Sequence, residues 1–128
     1  MWTVIFYKRD NGEIPVKNFL NSLSEKQKVK SYWEIKLLQQ YGIHLKEPYA
    51  KPISGDEYKG LWELRIKFAS NISRIFYFMP FGKTFILLHG FVKKTQKTPG
   101  QELVKAKKYM DECVRRLKKN EQENRGPF

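Results

Sequence analysis

The fold of this chain is decided by residues 61–92, LWELRIKFASNISRIFYFMPFGKTFILLHGFV, which predict three consecutive strands. In the segment 61–68, four apolar side chains alternate with three charged ones: Trp62, Leu64, Ile66 and Phe68, with Glu63, Arg65 and Lys67 between them. Such alternation is typical of a strand that buries one face. The segments 73–80 and 84–92 are rich in β-branched and aromatic residues, and the tight turn 80–83 joins them. We therefore predict a three-strand meander.

Upstream of the meander, the sequence predicts one strand and two helices. Residues 2–7, WTVIFY, are all β-branched or aromatic and precede a turn-forming Asp-Asn-Gly, which indicates a strand. Pro15 suits the first turn of a short helix. Ser24 and Gln27 have the spacing of a capping box that opens a second, longer helix, and Gly42 stands where that helix would end. Along one side of this helix, apolar residues recur every four positions: Val29, Trp33, Leu37 and Tyr41.

Downstream of the meander, the segment Thr98-Pro99-Gly100-Gln101 predicts the start of a last helix, with a capping box and with proline at the first helical position. One side of this helix would be apolar: Leu103, Ala106, Met110, Cys113 and Leu117. The order β-α-α-β-β-β-α predicts an α+β fold in which an antiparallel sheet packs against helices. We expect one domain over residues 1–119 and a polar, flexible tail at 120–128.

The composition favours a polyanionic partner. The chain has 25 Lys and Arg against 13 Asp and Glu, a formal net charge of +12, and this excess attracts phosphates. We expect no membrane-spanning segment, because Pro80, Gly82 and Lys83 interrupt the longest apolar stretch. Charged residues also interrupt the early apolar stretch before it could serve as a signal peptide, so we expect a cytoplasmic protein. The single Cys113 predicts neither an internal disulfide nor a cysteine zinc site.

The distribution of charge singles out the meander. No Asp or Glu occurs between Glu63 and Glu102. Seven cations stand in this acid-free window: Arg65, Lys67, Arg74, Lys83, Lys93, Lys94 and Lys97. Because a meander places its strands side by side, we expect most of them on one uncovered, cationic face of the sheet that binds phosphates. The alternative is that they form only the solvated face of a basic protein.

The acid-free window also constrains the chemistry. A two-metal nuclease needs several converging carboxylates and the window has none, so we expect neither a metal nor a cofactor. RNA carries its own nucleophile, the 2′-hydroxyl, which attacks the adjacent phosphate when it is aligned and the developing charge is stabilised. The pKa of a lysine falls among like charges, so Lys67, Lys93 or Lys94 could accept a proton. His89 is the rival candidate, although its strand position does not tell which face it occupies.

Further contacts with RNA would come from aromatic and polar side chains. The rings of Phe76, Phe78 and Phe91 either stack on RNA bases or belong to the core, and we favour the core for most of them. His44, just after the second helix, is a weaker candidate for any role. The RNA-binding residues outside the catalytic group are predicted to be Lys83, Gln96 and Lys97.

Three segments carry a resemblance to a known family: LWELRI at 61–66, RIFYF at 74–78 and HGFVKKTQKTP at 89–99. Over about residues 2–117 the chain resembles the phage Gp49-like branch of the RelE/HigB toxins. The resemblance implies a compact RelE-type fold, cleavage of mRNA, usually in the ribosomal decoding site, and neutralisation by a HigA-like antitoxin with a helix-turn-helix domain. Family active-site residues carry over to Arg65, Arg74, Lys93 and Lys94, and more weakly to Lys67 and Lys97. Some relatives place a tyrosine near the scissile phosphate; Tyr109 is the candidate here, although its spacing does not match well.

Together, the residues and the resemblance predict the toxin of a type II toxin–antitoxin system, acting as a metal-independent mRNA endonuclease on the ribosome. The predicted catalytic residues are Arg65, Lys67, Arg74, Lys93 and Lys94. The complex with the antitoxin could be a heterotetramer that binds operator DNA through the antitoxin. Two alternatives remain open: a non-catalytic RNA or ribosome binder that blocks translation by occupancy, and a ParE-like gyrase poison of the same fold.

Overall fold

The computed structural model describes residues 1–94 and 98–127, which form a five-stranded sheet with helices packed on both faces. The strands are β1 (Thr3–Phe6), β2 (Ala50–Pro52), β3 (Trp62–Phe68), β4 (Asn71–Phe81) and β5 (Thr84–Lys93). The α-helices are α1 (Pro15–Asn21), α2 (Glu25–Tyr41) and α3 (Gly100–Gln122), and short 3-10 helices occupy Gly42–His44 and Asp56–Tyr58. The predicted α+β class and the meander, which is β3 to β5, are confirmed.

The sheet has the strand order β1-β5-β4-β3-β2. β4 pairs antiparallel with β3 and β5, and β2 pairs antiparallel with β3. β1 instead lies parallel to β5, with Thr3 opposite Thr84, so the sheet is mixed where the sequence predicted a wholly antiparallel one. A parallel pair requires a long crossover, and α1, α2 and the rest of the chain between β1 and β5 supply it. The sequence does not predict β2, because three residues are too few to show an alternation.

The first face of the sheet packs against α1 and α2. Its core combines apolar side chains of the meander with those of the two helices: Leu64, Ile66, Ile75, Tyr77, Phe85, Leu87, Val16, Leu20, Ile35 and Leu38. The close approach of α1 depends on Gly90 in β5, because a Cβ atom there would lie 2.4 Å from the ring of Phe19. A larger residue at this position would push α1 away from the sheet.

The second face of the sheet is covered by α3 over β5 and part of β4. Phe76, Phe78 and Phe91 are buried there and pack with apolar residues of α3, so they belong to the core rather than to a base-stacking surface. Cys113 is buried against them, and the predicted apolar side of α3 is confirmed. The expectation of one uncovered cationic face is therefore wrong where α3 lies, and cationic side chains occupy only the remaining part of this face.

The ends of α3 differ from the prediction. Pro99 is the N-cap and Gly100 the first helical residue, and no side chain caps the helix, so the predicted capping box from Thr98 to Gln101 is wrong. A proline at the N-cap position leaves Thr98 one residue too early to reach the first free N–H groups. The helix continues to Gln122, beyond the start of the stretch predicted as a tail. None of the helices in the described part of the chain is long and apolar enough to cross a membrane.

Side chains that follow β1 hold α3 in place. The hydroxyl of Tyr7, which is 1% exposed, donates a hydrogen bond to Glu112 Oε1 at 2.9 Å. Arg9 Nη2 donates to Glu112 Oε2 at 3.1 Å, and its guanidinium lies over the ring of Tyr109. These contacts seat the middle of α3 on the sheet, which determines how much of the second face remains open.

The buried side of α2 is not the one that the sequence indicates. The capping box between Ser24 and Gln27 is confirmed, as is the helix end at Gly42. However, three of the four regularly spaced apolar residues point to solvent, with exposures of 68%, 57% and 48%: Val29, Trp33 and Tyr41. The buried residues are instead Ser31, Glu34, Ile35 and Leu38, and the first two of these have polar side chains. Glu34 is paired with Lys30 at 2.8 Å, which lowers the cost of burying its carboxylate.

Candidate active site

Three neighbouring strands place basic side chains around one open cavity: Lys51 from β2, Arg65 from β3 and Arg74 from β4. On the second face, Arg65 of β3 lies opposite Arg74 of β4, and Arg74 lies opposite Phe91 of β5. The cavity measures about 400 Å³ and is lined by residues of β2 and the loop before it, of β3 and of β4: Glu47, Pro48, Ala50, Lys51, Glu63, Arg65 and Arg74. Cross-strand neighbours on one face of a sheet lie within side-chain reach of each other, so the register itself brings the two arginines together.

A buried carboxylate lies at the centre of these cations. Glu63 is 1% exposed, and its Oε1 accepts a hydrogen bond from Arg74 Nε at 2.8 Å. Lys51 Nζ lies 4.0 Å from the same oxygen. The acid-free window therefore does not leave the cations without a carboxylate, because Glu63 at its border lies among them. Glu63 belongs to the same alternating set as Arg65, so it faces the same side of the sheet and reaches Arg74 diagonally across β3 and β4.

Lys93 completes the group that we call the cationic cluster, which consists of Lys51, Arg65, Arg74 and Lys93. Burial and the charge of Arg74 lower the pKa of the Lys93 ammonium, Lys51 and Arg65 act in the same direction, and Glu63 opposes them. Lys93 shares its face with Lys67, because each lies opposite Ile72 on neighbouring strands. A basic side chain with a lowered pKa beside fixed positive charges is a candidate for proton transfer.

Several polar atoms of this site have no partner within the described residues. They are all buried: Arg65 Nε, Arg74 Nη1 and Glu63 Oε2. Burial lowers the pKa of Arg74, and Glu63 counteracts that effect. Buried N–H groups are almost always hydrogen-bonded in folded proteins, and guanidinium donors pair especially well with the oxygens of phosphate. The cavity is thus lined by side chains whose chemistry suits an oxyanion: Lys51, Arg65 and Arg74.

His89 lies on the same face but in different surroundings. It is opposite Phe76, its ring is stacked with Phe76 and Phe91, and the edge of Tyr109 contacts it from α3. Its Nε2 is hydrogen-bonded to Glu102 in the first turn of α3. Burial lowers the pKa of His89, and Glu102 opposes that shift. The ring is enclosed by the core and does not line the cavity. Burial raises the pKa of Tyr109, which packs here rather than at the cationic cluster.

The other predicted residues lie apart from the cationic cluster or outside the described residues. Lys67 and Lys94 are exposed, the first on the face of the cluster and the second just beyond β5. Lys83 lies in the β4–β5 turn with its ammonium 5.3 Å from the centroid of the Trp2 ring, so the whole length of β5 separates it from Lys93. His44 is exposed on the 3-10 helix after α2. The positions of Gln96 and Lys97 lie outside the described residues.

Two residues of the site are not among those predicted. Glu63 could have been found, because the alternation of residues 61–68 places it on the side of Arg65 and Lys67. Lys51 lies in a segment without periodicity, and only its pairing with β3 brings it to the cavity. In residues 1–94 and 98–127, no three His, Cys, Asp or Glu side chains converge as they would around a metal ion.

Comparison with known proteins bears on this arrangement. The family described as Phage derived protein Gp49-like (DUF891) matches residues 18–111, which include the whole cationic cluster, Glu63 and His89. No curated protein sequence matches the chain. The Gp49-like family is associated with toxins of toxin–antitoxin systems, and this association implies an antitoxin partner. The match covers well over half of the chain, and the chain therefore belongs to the Gp49-like family of RelE/HigB-like toxins.

Proposed function

We propose that this protein is the toxin of a type II toxin–antitoxin system and that it cleaves mRNA on the ribosome without a metal ion. The observation that carries the proposal is the open cavity that Lys51, Arg65 and Arg74 line together. A phosphodiester supplies the anionic oxygens that guanidinium and ammonium groups bind. Family membership supports the toxin role and an antitoxin partner.

In the proposed reaction the RNA provides the nucleophile. Its 2′-oxygen forms a bond with the adjacent phosphorus, and the bond from phosphorus to the 5′-oxygen breaks. Arg65 and Arg74 stabilise the charge that develops on the phosphate oxygens. Lys93, with its lowered pKa, accepts the proton of the 2′-hydroxyl, and solvent water donates the proton that the departing 5′-oxygen takes up. The products are a 2′,3′-cyclic phosphate and a free 5′-hydroxyl.

The remaining predicted residues have a supporting role in this proposal. Lys67 and Lys94 contribute to the catalytic surface beside Lys93. Lys83 contacts the RNA or the ribosome at a distance from the cleaved bond, and Gln96 and Lys97 are further RNA-binding residues. The partner that silences the toxin is a HigA-like antitoxin with a helix-turn-helix domain. Their complex is a heterotetramer that binds operator DNA through the antitoxin, and the substrate, mRNA on ribosomes, places the activity in the cytoplasm.

The proposal is tested by inducing the protein in a bacterium that lacks the antitoxin and mapping RNA ends. We expect growth arrest and new mRNA fragments that end in 2′,3′-cyclic phosphates, and neither should occur with Arg65→Ala. Arrest of translation with intact mRNA would instead favour blocking by occupancy. DNA damage with normal translation in isolated extracts would favour gyrase poisoning, and either result would overturn the proposed cleavage.

A further inference from the structure

The position of Glu63 is unusual for a site that binds a polyanion. Its carboxylate lies beneath Lys51, Arg65 and Arg74, where it repels the phosphate that these cations attract. With 1% exposure it is also removed from water, which is costly for a charged group unless it is paired. If the cavity only had to attract RNA, a neutral residue at this position would serve better. The carboxylate therefore calls for a role other than attraction.

The hydrogen bonds indicate that role. A guanidinium is rigid and planar and has five N–H donors in a fixed fork. Glu63 engages Arg74 through Nε at 2.8 Å, and Nη1 of the same guanidinium has no partner among the described residues. Anchoring one edge of a planar group determines the direction of its other donors. Lys51 Nζ of β2 lies 4.0 Å from the same carboxylate oxygen, so cations from two neighbouring strands flank Glu63.

We propose that Glu63 is a positioning residue, which holds the guanidinium of Arg74 in a fixed orientation in the cavity wall, so that this group stabilises the phosphate as the transition state forms. This role rests on the RNA cleavage proposed above. Glu63 does not touch the substrate itself, because only 1% of its side chain is exposed. It raises the rate of cleavage at the expense of affinity for RNA.

Positioning and simple electrostatics predict opposite results for the isosteric change Glu63→Gln. If charge alone matters, removing one negative charge from the cavity strengthens RNA binding and leaves cleavage as fast or faster. If Glu63 positions Arg74, binding is unchanged or tighter, but the cleavage rate falls by about tenfold, as for other groups that orient a reacting side chain. Glu63→Ala removes the acceptor altogether and should lower the rate further.

The experiment uses the full chain with translating ribosomes and a defined mRNA. Single-turnover cleavage gives the rate, and an mRNA with a 2′-O-methyl group at the cleavage site, which cannot react, gives the affinity. The variants are Glu63→Gln, Glu63→Ala and, as a charge control, Glu57→Gln in the exposed 3-10 helix Asp56–Tyr58. Thermal unfolding checks that each variant folds, and the isosteric Glu63→Gln suffices if Glu63→Ala does not fold.

Arg74→Lys supplies the decisive background, because it keeps the charge and removes the fork. We expect Glu63→Gln to slow cleavage by the wild-type arginine and to have little further effect in Arg74→Lys. An equal slowing in both backgrounds, or normal cleavage by Glu63→Gln, would overturn the positioning role. An intact mRNA with the wild-type protein would instead refute the proposed cleavage itself, so the two failures are distinguishable.

Discussion

The acid-free window begins after Glu63 and ends before Glu102, and each of these carboxylates is hydrogen-bonded to a basic side chain inside the window. Glu63 pairs with Arg74, and Glu102 pairs with His89, on the same face of the sheet. The first pair lies at an open cavity among further cations, whereas the ring of the second is enclosed by aromatic rings and by α3. Similar pairs therefore lie in different surroundings. What distinguishes them is whether the paired base lines an open cavity or is enclosed by aromatic rings and α3.

The largest expected effect is on the rate of RNA cleavage, and it distinguishes Arg74 from His89. Arg74→Ala should lower the cleavage rate by about 1,000-fold, because it removes preorganised donors to the phosphate. His89→Phe keeps an aromatic ring in the stack and should stay within about tenfold of the wild type. Both are measured as rates of cleavage of ribosome-bound mRNA. If His89→Phe lowered the cleavage rate more than Arg74→Ala does, His89 and not Arg74 would be the catalytic residue of the two.

A second prediction concerns proton transfer next to the open pair. Lys93→Arg keeps the positive charge but cannot release a proton near neutral pH, so we expect the cleavage rate to fall by about 100-fold with little change in RNA affinity. Because the pKa of Lys93 is lowered, the wild-type rate should rise with pH and level off below the pH at which an ordinary lysine titrates. Lys36→Arg on the exposed side of α2 is the matched control. A rising pH profile that persisted in Lys93→Arg would exclude Lys93 as the proton acceptor.

The pair of His89 and Glu102 should affect the pH dependence of protein stability rather than the rate of RNA cleavage. The pKa of His89 is lower in the folded protein than its ordinary value of 6.5, so the unfolded chain binds the proton more tightly. Stability is therefore fully present above pH 6.5 and decreases as the pH falls towards the lowered value. We expect the midpoint of thermal unfolding to drop by about 3 °C between pH 7.5 and 5.5. His89→Phe should reduce this drop, and an unchanged pH dependence in that variant would contradict the assignment.

The smallest effect on stability is expected on the solvent-exposed side of α2. Trp33→Ala removes an exposed ring from α2 and should change the free energy of unfolding by less than about 0.5 kcal/mol. The matched change Leu38→Ala, at a fully buried position of the same helix, should cost about 2 to 5 kcal/mol. Chemical denaturation measures both. Equal costs would mean that the outer side of α2 is enclosed as well.

Local sequence patterns predict much of the fold, but they do not predict which side of α2 is buried. The alternation in residues 61–68 predicts β3, and the Ser24 capping box predicts the start of α2. The buried side of α2 could not be predicted, because apolar residues occur on both sides of the helix and Glu34 is buried only through its pairing with Lys30. A periodic pattern identifies a helix, but neighbouring elements decide which of two apolar sides is covered.

Local sequence patterns likewise predict some residues of the candidate site and not others. Arg65, Arg74 and Lys93 were predictable together because consecutive strands of a meander are neighbours in the sheet. Glu63 was predicted only as the border of the acid-free window, although its alternation with Arg65 already placed it on the cationic side. Lys51 carried no signal, since it reaches the cavity through a three-residue strand at the sheet edge.

The sequence by itself determined the types of the main elements, the meander and the excess of positive charge, because these depend on neighbours within a few residues. Only the tertiary structure decided that β1 is parallel to β5, that α3 covers β5 and part of β4 on the second face, and that Glu63 lies among the cations. The reason is that burial and Coulomb energy depend on distance through space, which separation along the chain does not measure.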